Sequence, residues 1–263
     1  MCLAFSGDGR TLVSGSNVSA FLLPVPLPNP VHALTVWDAA TGRRLRDFLP
    51  GSMVQSVAFS PDGNLLAAGT FGLTWRNKLK VWDLRTGRPL HFPPHRTQVV
   101  GLVAFSPNGN QLAVSDDNGV SVIDVSNRTE HWLVRGQRAS FEFSFAPDGR
   151  LLATTHPDGS IRLWDISTWK VEMTITAPSG AGMPVFSPHG KTLAALCADG
   201  AVRLWDVGSG KDLRSFVPHQ KWVGSLAFLA DGKTLASASL DGTLEKWNID
   251  TGEDIGKFSL ISK

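Results

Sequence analysis

Apolar and polar positions along this chain follow a unit that is written six times. Each copy opens on an apolar run into a Gly turn. The first three are Ala4-Phe5-Ser6-Gly7-Asp8-Gly9, Ala58-Phe59-Ser60-Pro61-Asp62-Gly63 and Ala104-Phe105-Ser106-Pro107-Asn108-Gly109. The last three are Phe145-Ala146-Pro147-Asp148-Gly149, Phe186-Ser187-Pro188-His189-Gly190 and Phe228-Leu229-Ala230-Asp231-Gly232. Each copy closes on Trp or Ile followed by Asp or Asn: Trp37-Asp38, Trp82-Asp83, Ile123-Asp124, Trp164-Asp165, Trp205-Asp206 and Trp247-Asn248. The closing positions step by 41 to 45 residues. This period and punctuation predict a radial array of four-stranded units, none able to bury its apolar faces alone.

The last copy shows the four strands most plainly. Val223 to Phe228 is a short apolar run bounded by turn residues, which predicts a strand buried on both faces. Ala230-Asp231-Gly232 reverses the chain, Gly supplying the left-handed conformation. Thr234 to Ser239 gives a second strand, Asp241-Gly242 a tight hairpin, and Thr243 to Trp247 a third strand. After a turn at Asp250-Thr251-Gly252, Ile255 to Ile261 supplies an outer strand. Small residues inside and large ones further out fit a sheet that widens away from an axis. The expectation is an all-β chain of one domain, residues 1–263, with antiparallel blades at 1–49, 53–92, 98–135, 139–176, 182–216 and 222–261.

These residues resemble the WD-repeat (WD40) β-propeller family over nearly the whole chain. The resemblance implies a hydrogen-bonded network in each blade: a His before the first strand, a Ser or Thr in the second, an Asp at the hairpin, and the Trp. The last blade has all four in His219, Ser237, Asp241 and Trp247. The fourth keeps Thr154, Asp158 and Trp164, while the fifth keeps Asp199 and Trp205 but has Ala195 in the hydroxyl position. The third has Ile123 for Trp and one residue fewer around Asp117-Asn118-Gly119, so packing rather than a polar network is expected to hold it. The first blade opens at Met1 inside its first strand and is expected to be truncated. Either six blades close edge to edge, or the ring is incomplete and needs a seventh.

Composition narrows the picture further. The net charge of +2 is too small to argue for a nucleic-acid or membrane partner. Cys2 and Cys197 offer no disulfide framework, and the apolar stretch Phe21-Leu22-Leu23 is cut short by prolines. A cytoplasmic chain is the expectation.

Candidate chemistry mostly dissolves on inspection. His219, Ser237 and Asp241 have the composition of a hydrolase triad, but a nucleophilic Ser needs exposure beside an oxyanion site, and Ser237 lies mid-strand among apolar residues. Gly208-Ser209-Gly210-Lys211 lacks the first Gly and the hydroxyl residue after Lys that a phosphate loop requires. His91 and His95 are spaced as ligands on a helix, which Pro93 and Pro94 forbid. No metal, cofactor or catalytic residue is expected.

The copies differ most in adjacent units. Asn17 to Ala33 in the first and Phe71 to Asn77 in the second replace what is elsewhere a tight turn between the second and third strands. The resemblance places these loops on one face with the loops entering each blade. A basic crescent with aromatic points results: Phe21, Phe71 and Trp75 beside Arg76, Lys78, His95, Arg96, Arg135 and Arg138. Trp and Arg dominate binding energy at protein interfaces. The expected function is a non-catalytic platform or scaffold for protein partners, a monomer unless an incomplete ring pairs with another chain, or a module of a larger regulatory protein. The alternatives are an enzyme sited in the propeller funnel and nucleic-acid binding through the crescent, which would depend strongly on salt.

Overall fold

A computed structural model describes residues 2–15, 34–72, 78–95, 97–135, 141–217, 219 and 221–259. Among these residues there is no helix, and 24 strands form six four-stranded antiparallel sheets, the blades of a β-propeller. Blade 1 is β1 (Cys2–Phe5), β2 (Thr11–Gly15), β3 (Leu34–Asp38) and β4 (Arg44–Phe48). Blade 2 is β5 (Met53–Phe59), β6 (Leu65–Phe71), β7 (Leu79–Asp83) and β8 (Pro89–Leu90). Blade 3 is β9 (Val100–Phe105), β10 (Gln111–Asp116), β11 (Gly119–Asp124) and β12 (Glu130–Arg135). Blade 4 is β13 (Phe143–Phe145), β14 (Leu151–Thr155), β15 (Ser160–Asp165) and β16 (Lys170–Thr176). Blade 5 is β17 (Ala181–Phe186), β18 (Thr192–Cys197), β19 (Val202–Asp206) and β20 (Asp212–Phe216). Blade 6 is β21 (Val223–Phe228), β22 (Thr234–Ser239), β23 (Thr243–Asn248) and β24 (Asp254–Ser259). Two compact units, Met1–Ser140 and Phe141–Lys263, carry three blades each. The first strand of blade 1 is four residues long, against seven in β5.

The repeated turn residues act locally, which is why the blades recur. After the first strand, Ser6 donates its hydroxyl to Asp8 (2.6 Å) and accepts the Thr11 N–H (3.0 Å). Ser60 and Ser106 repeat the stitch with Asp62 and Asn108. The Asp that closes each copy caps the next turn: Asp38, Asp83, Asp165 and Asp206 accept the N–H three residues on, at 2.7–2.9 Å. These are Asx-turn bonds, and they give the recurrent carboxylate a structural task. Gly119 is demanded by space as well as by its φ of 145°: a Cβ there would lie 2.0 Å from the Val134 carbonyl oxygen.

Neighbouring blades within each unit share apolar clusters. Phe59 packs with Val13 and Val36 of blade 1, and Phe105 with Ala67 and Val81 of blade 2. In the second unit Phe186 packs with Ala153 and Leu163, and Phe228 with Ala194 and Leu204. Burial of one such ring stabilises by about 1.5–3 kcal/mol. At the rim, the outer strand of blades 1, 4, 5 and 6 bulges beside the closing Trp, and Arg46 and Arg214 reach from it to the next blade's turn.

Candidate functional site

Blade 6 assembles its polar residues into one chain of hydrogen bonds. The loop before β21 brings His219, β22 brings Ser237, the β22–β23 hairpin brings Asp241, and β23 brings Trp247. Trp247 Nε1 donates to Ser237 Oγ (3.3 Å), which lies 2.9 Å from His219 Nε2. His219 Nδ1 lies 3.1 Å from Asp241 Oδ2. The bond order matches that of a serine hydrolase, but Ser237 is only 1% exposed and its oxygen already accepts the indole N–H. No carbonyl carbon can reach that oxygen, so the trio stitches strands together. The hydroxyl of Thr243, followed by the Thr243 N–H and His219, holds the Asp241 carboxyl down to about 2 against partial desolvation.

Blade 4 divides the same work. Trp164 Nε1 donates to Thr154 Oγ1 (2.8 Å), and the imidazole against that oxygen is His156 Nε2 (2.8 Å), supplied by the end of β14 instead of the incoming loop. Burial, reinforced by the Arg162 charge, pushes His156 down to about 4, so it is neutral. Asp158 turns instead to Ser160 and to Arg162 Nη2 (2.7 Å). Blade 5 has no hydroxyl at Ala195, and Arg203 grips Asp199 with both nitrogens, at 3.0 and 2.7 Å. Trp205 is buried against this background.

Blade 3 corrects the expectation that packing alone holds it. Asp116, one position before the residues singled out in sequence, accepts the Asn118 and Gly119 N–H groups on one oxygen. Its other oxygen lies 2.8 Å from His95 Nδ1, and His95 Nε2 lies 3.1 Å from Glu130 Oε1 at the start of β12. Burial pulls His95 down, but its hydrogen bonds to the two carboxylates and their charge outweigh that and raise it to about 9. Trp132 packs beside the imidazole, its ring centroid 5.9 Å away.

The basic crescent is altered by these placements. Lys78 and His95, expected at the surface, are buried at 0% and 3% exposure. Lys78 leads straight into β7, its backbone N–H bonded to the His95 carbonyl, and its ammonium lies against Gly72. Phe71 is half-buried at the end of β6, and Arg135 is exposed with its guanidinium 5.3 Å from the Trp132 ring centroid. Phe21, Trp75, Arg76, Arg96 and Arg138 lie outside the described residues. Blade 6 shows what sequence reasoning missed. Trp222 and Leu240 are 69% and 75% exposed, side by side through a Leu240 N–H bond to the Trp222 carbonyl (3.0 Å). Leu240 stands directly before Asp241-Gly242, where the fourth and fifth blades have Pro157 and Ala198, and a large aliphatic residue in that turn is the signal.

Blades stitched by buried polar bonds, with side chains left over at the hairpins and incoming loops, define a β-propeller scaffold. The chain belongs to the WD40 family: the family described as WD domain, G-beta repeat, matches residues 43–83, 87–124, 135–165, 179–206 and 210–248. The first match runs from β4 through β7, so it is offset from the blade by one strand. The chain is similar to the small ribosomal subunit protein RACK1y of Oryza sativa, 29% identical over 53% of this chain and 46% of that protein. It is also similar to protein groucho of Drosophila melanogaster, 28% identical over 60% of this chain and 25% of that one. The LST8 homolog of the same fly is 27% identical over 53% of this chain and 48% of that protein. The matches thus span half or less of each relative's length.

Proposed function

We propose that this protein is a non-catalytic platform that binds protein partners, in the cytoplasm, alone or as a module of a larger regulatory chain. The observation that carries the proposal is the exposure of Trp222 and Leu240 on blade 6, large apolar side chains at the very loops where neighbouring polar groups are consumed internally. Aromatic anchors of this kind supply most of the energy at protein interfaces. On blades 1–3 the docking residues are Phe21, Phe71, Trp75, Arg76, Arg96, Arg135 and Arg138. Lys78 and His95 leave this set, because a buried cation cannot meet a partner. Relatives' names fit the reading, since one is a ribosomal-subunit protein and so works within an assembly.

The test is partner recovery with the intact chain, with Trp75→Ala/Arg96→Glu and with Trp222→Ala/Leu240→Ser, at low and high salt and with nuclease. Loss of protein partners in at least one double variant, unaffected by nuclease, is the expected result. Equal recovery by all three chains removes both surfaces from the proposal. Partners that vanish with nuclease point to nucleic acid.

A further inference from the structure

At three junctions within the units, the outer strand of one blade sets a side chain over the glycine of the next blade's last turn. Arg46 of blade 1 lies over Gly87, Met173 of blade 4 over Gly210, and Arg214 of blade 5 over Gly252. The three hold the same register, opposite Val36, Leu163 and Leu204 of their third strands. A Cβ on any of these glycines would fall 2.7–2.9 Å from the covering side chain. The residues that flank the glycine therefore set the charge around the covering group.

Under Arg214 the turn reads Asn248-Ile249-Asp250-Thr251-Gly252-Glu253, so the cation lies over a turn with two acidic residues. Its guanidinium uses both terminal nitrogens, Nη1 donating to the Thr251 carbonyl and Nη2 to the Asp250 carbonyl. Under Arg46 the turn reads Asp83-Leu84-Arg85-Thr86-Gly87-Arg88, which puts Arg85 and Arg88 in the places of Asp250 and Glu253. Arg46, Arg85 and Arg88 are all exposed, and among the described residues none of them forms an ion pair. Arg46 donates Nη1 to the Leu84 carbonyl at 2.9 Å, and its Nε and Nη2 meet no acceptor among the described residues. The carboxylate of the turn, Asp83, accepts the Thr86 N–H at 2.7 Å. Charge nearby is balanced, with Arg44 paired to Asp47 and Arg43 beside Asp38.

Three guanidinium groups against one carboxylate leave two positive charges on this turn uncompensated. Like charges repel, so an anion seated among them relieves the fold. A phosphate monoester carries about 1.5 to 2 negative charges at neutral pH and three acceptor oxygens, which guanidinium forks match in geometry. A carboxylate or a phosphodiester brings only a single charge. The surplus is also confined to one turn, too short a track for a nucleic-acid backbone. Because the arginines stand exposed on the rim, the phosphate has to be presented by a larger body.

We propose that this turn binds a phosphorylated serine or threonine side chain of a protein partner. Arg46, fixed by the Leu84 carbonyl, makes the first contact, and Arg85 and Arg88 close on the anion. The proposal rests on the platform reading for its kind of partner, but it involves none of Trp75, Arg96, Trp222 and Leu240, so either can fail alone.

The test immobilises the full chain and passes over it a degenerate peptide library with a fixed central phosphoserine or phosphothreonine, and the same library after phosphatase treatment. The wild type should retain the phosphorylated library about tenfold more than the treated one, the scale of a charge-assisted hydrogen bond. Arg85→Asp/Arg88→Glu, which copies the blade 6 turn, and Arg85→Gln/Arg88→Gln should both lose that preference. Both should melt no lower than the wild type, because each removes repulsion at exposed positions. Equal retention of the two libraries by the wild type overturns the proposal, as does a preference that survives in either variant. A variant that melts well below the wild type overturns the charge argument on which the site stands. Vesicles containing a phosphatidylinositol phosphate and a single-stranded RNA are run in parallel. Retention of either by the wild type alone, without a library preference, assigns the turn to a membrane or a nucleic acid and overturns the protein partner.

Discussion

His95 Nδ1 lies 2.8 Å from Asp116 Oδ2, each side chain 2% exposed, in the blade whose closing Trp is replaced by Ile123. In blades 3 to 6 the hairpin carboxylate has a cationic or imidazole partner where the geometry allows one. His95 serves Asp116, Arg162 serves Asp158, Arg203 serves Asp199, and His219 serves Asp241. Where the partner is a buried His, a second carboxylate stands near it: Glu130 at 3.1 Å from His95 and Glu245 at 3.7 Å from His219.

Burial ranks these aspartates. Asp116→Ala strands a charged His95 beside Glu130 in a buried site, and breaking such a pair costs about 3–5 kcal/mol. Asp241→Ala removes a partner of His219 that is partly open to water, so it should cost less. Asp199→Ala, whose carboxylate is 40% exposed, should cost least. Denaturation midpoints should fall in that order. Asp199→Ala as the most damaging of the three would refute the ranking.

Two histidines should give stability opposite pH slopes. His95 is raised from its ordinary 6.5 to about 9, so its contribution is full below about 6.5 and is lost as pH rises through about 9. His156 is lowered from 6.5 to about 4, so its contribution is full above about 6.5 and is lost as pH falls towards about 4. Glu130, held low by His95 despite burial, adds to the loss on the acid side. Melting curves for His95→Gln should flatten the alkaline limb, and those for His156→Gln the acid limb. The same limb flattening in both variants would show that the shifts are misassigned.

The blades were legible because their signals are local. Ser6 to Asp8 and Asp38 to Thr41 close turns within a few residues, and Phe and Trp at a fixed period mark the strands between. His219, Ser237, Asp241 and Trp247 were legible for the same reason: each holds a fixed place in the pattern. His156 and Glu130 were not, because they act from places no repeat predicts, the end of a second strand and the start of an outer one. Glu130 reads as a solvated rim residue until His95 folds against it. Lys78 likewise reads as surface after a long loop, although the backbone bond from Lys78 N–H to the His95 carbonyl carries it inside.

Arg214 on the outer strand of blade 5 donates to the Thr251 carbonyl (2.8 Å) and the Asp250 carbonyl (2.6 Å) of the blade 6 turn. Arg46 makes the equivalent reach from blade 1 to the Leu84 carbonyl of blade 2 (2.9 Å). Both arginines lie over a glycine: a Cβ on Gly252 would fall 2.9 Å from Arg214 Cδ, and one on Gly87 would fall 2.7 Å from Arg46 Nη1. Arg214→Ala should therefore cost about 0.5–1.5 kcal/mol, the net worth of an ordinary hydrogen bond, because solvent screens the exposed charge. Gly252→Ala should cost more, since it strains a φ of 77° as well as pushing the guanidinium away. In the Arg214→Ala background the same Gly252→Ala change should cost less, its clash removed and only the backbone strain left. A double-mutant cycle on melting midpoints reads this directly, and strict additivity would show that the arginine does not clasp the turn.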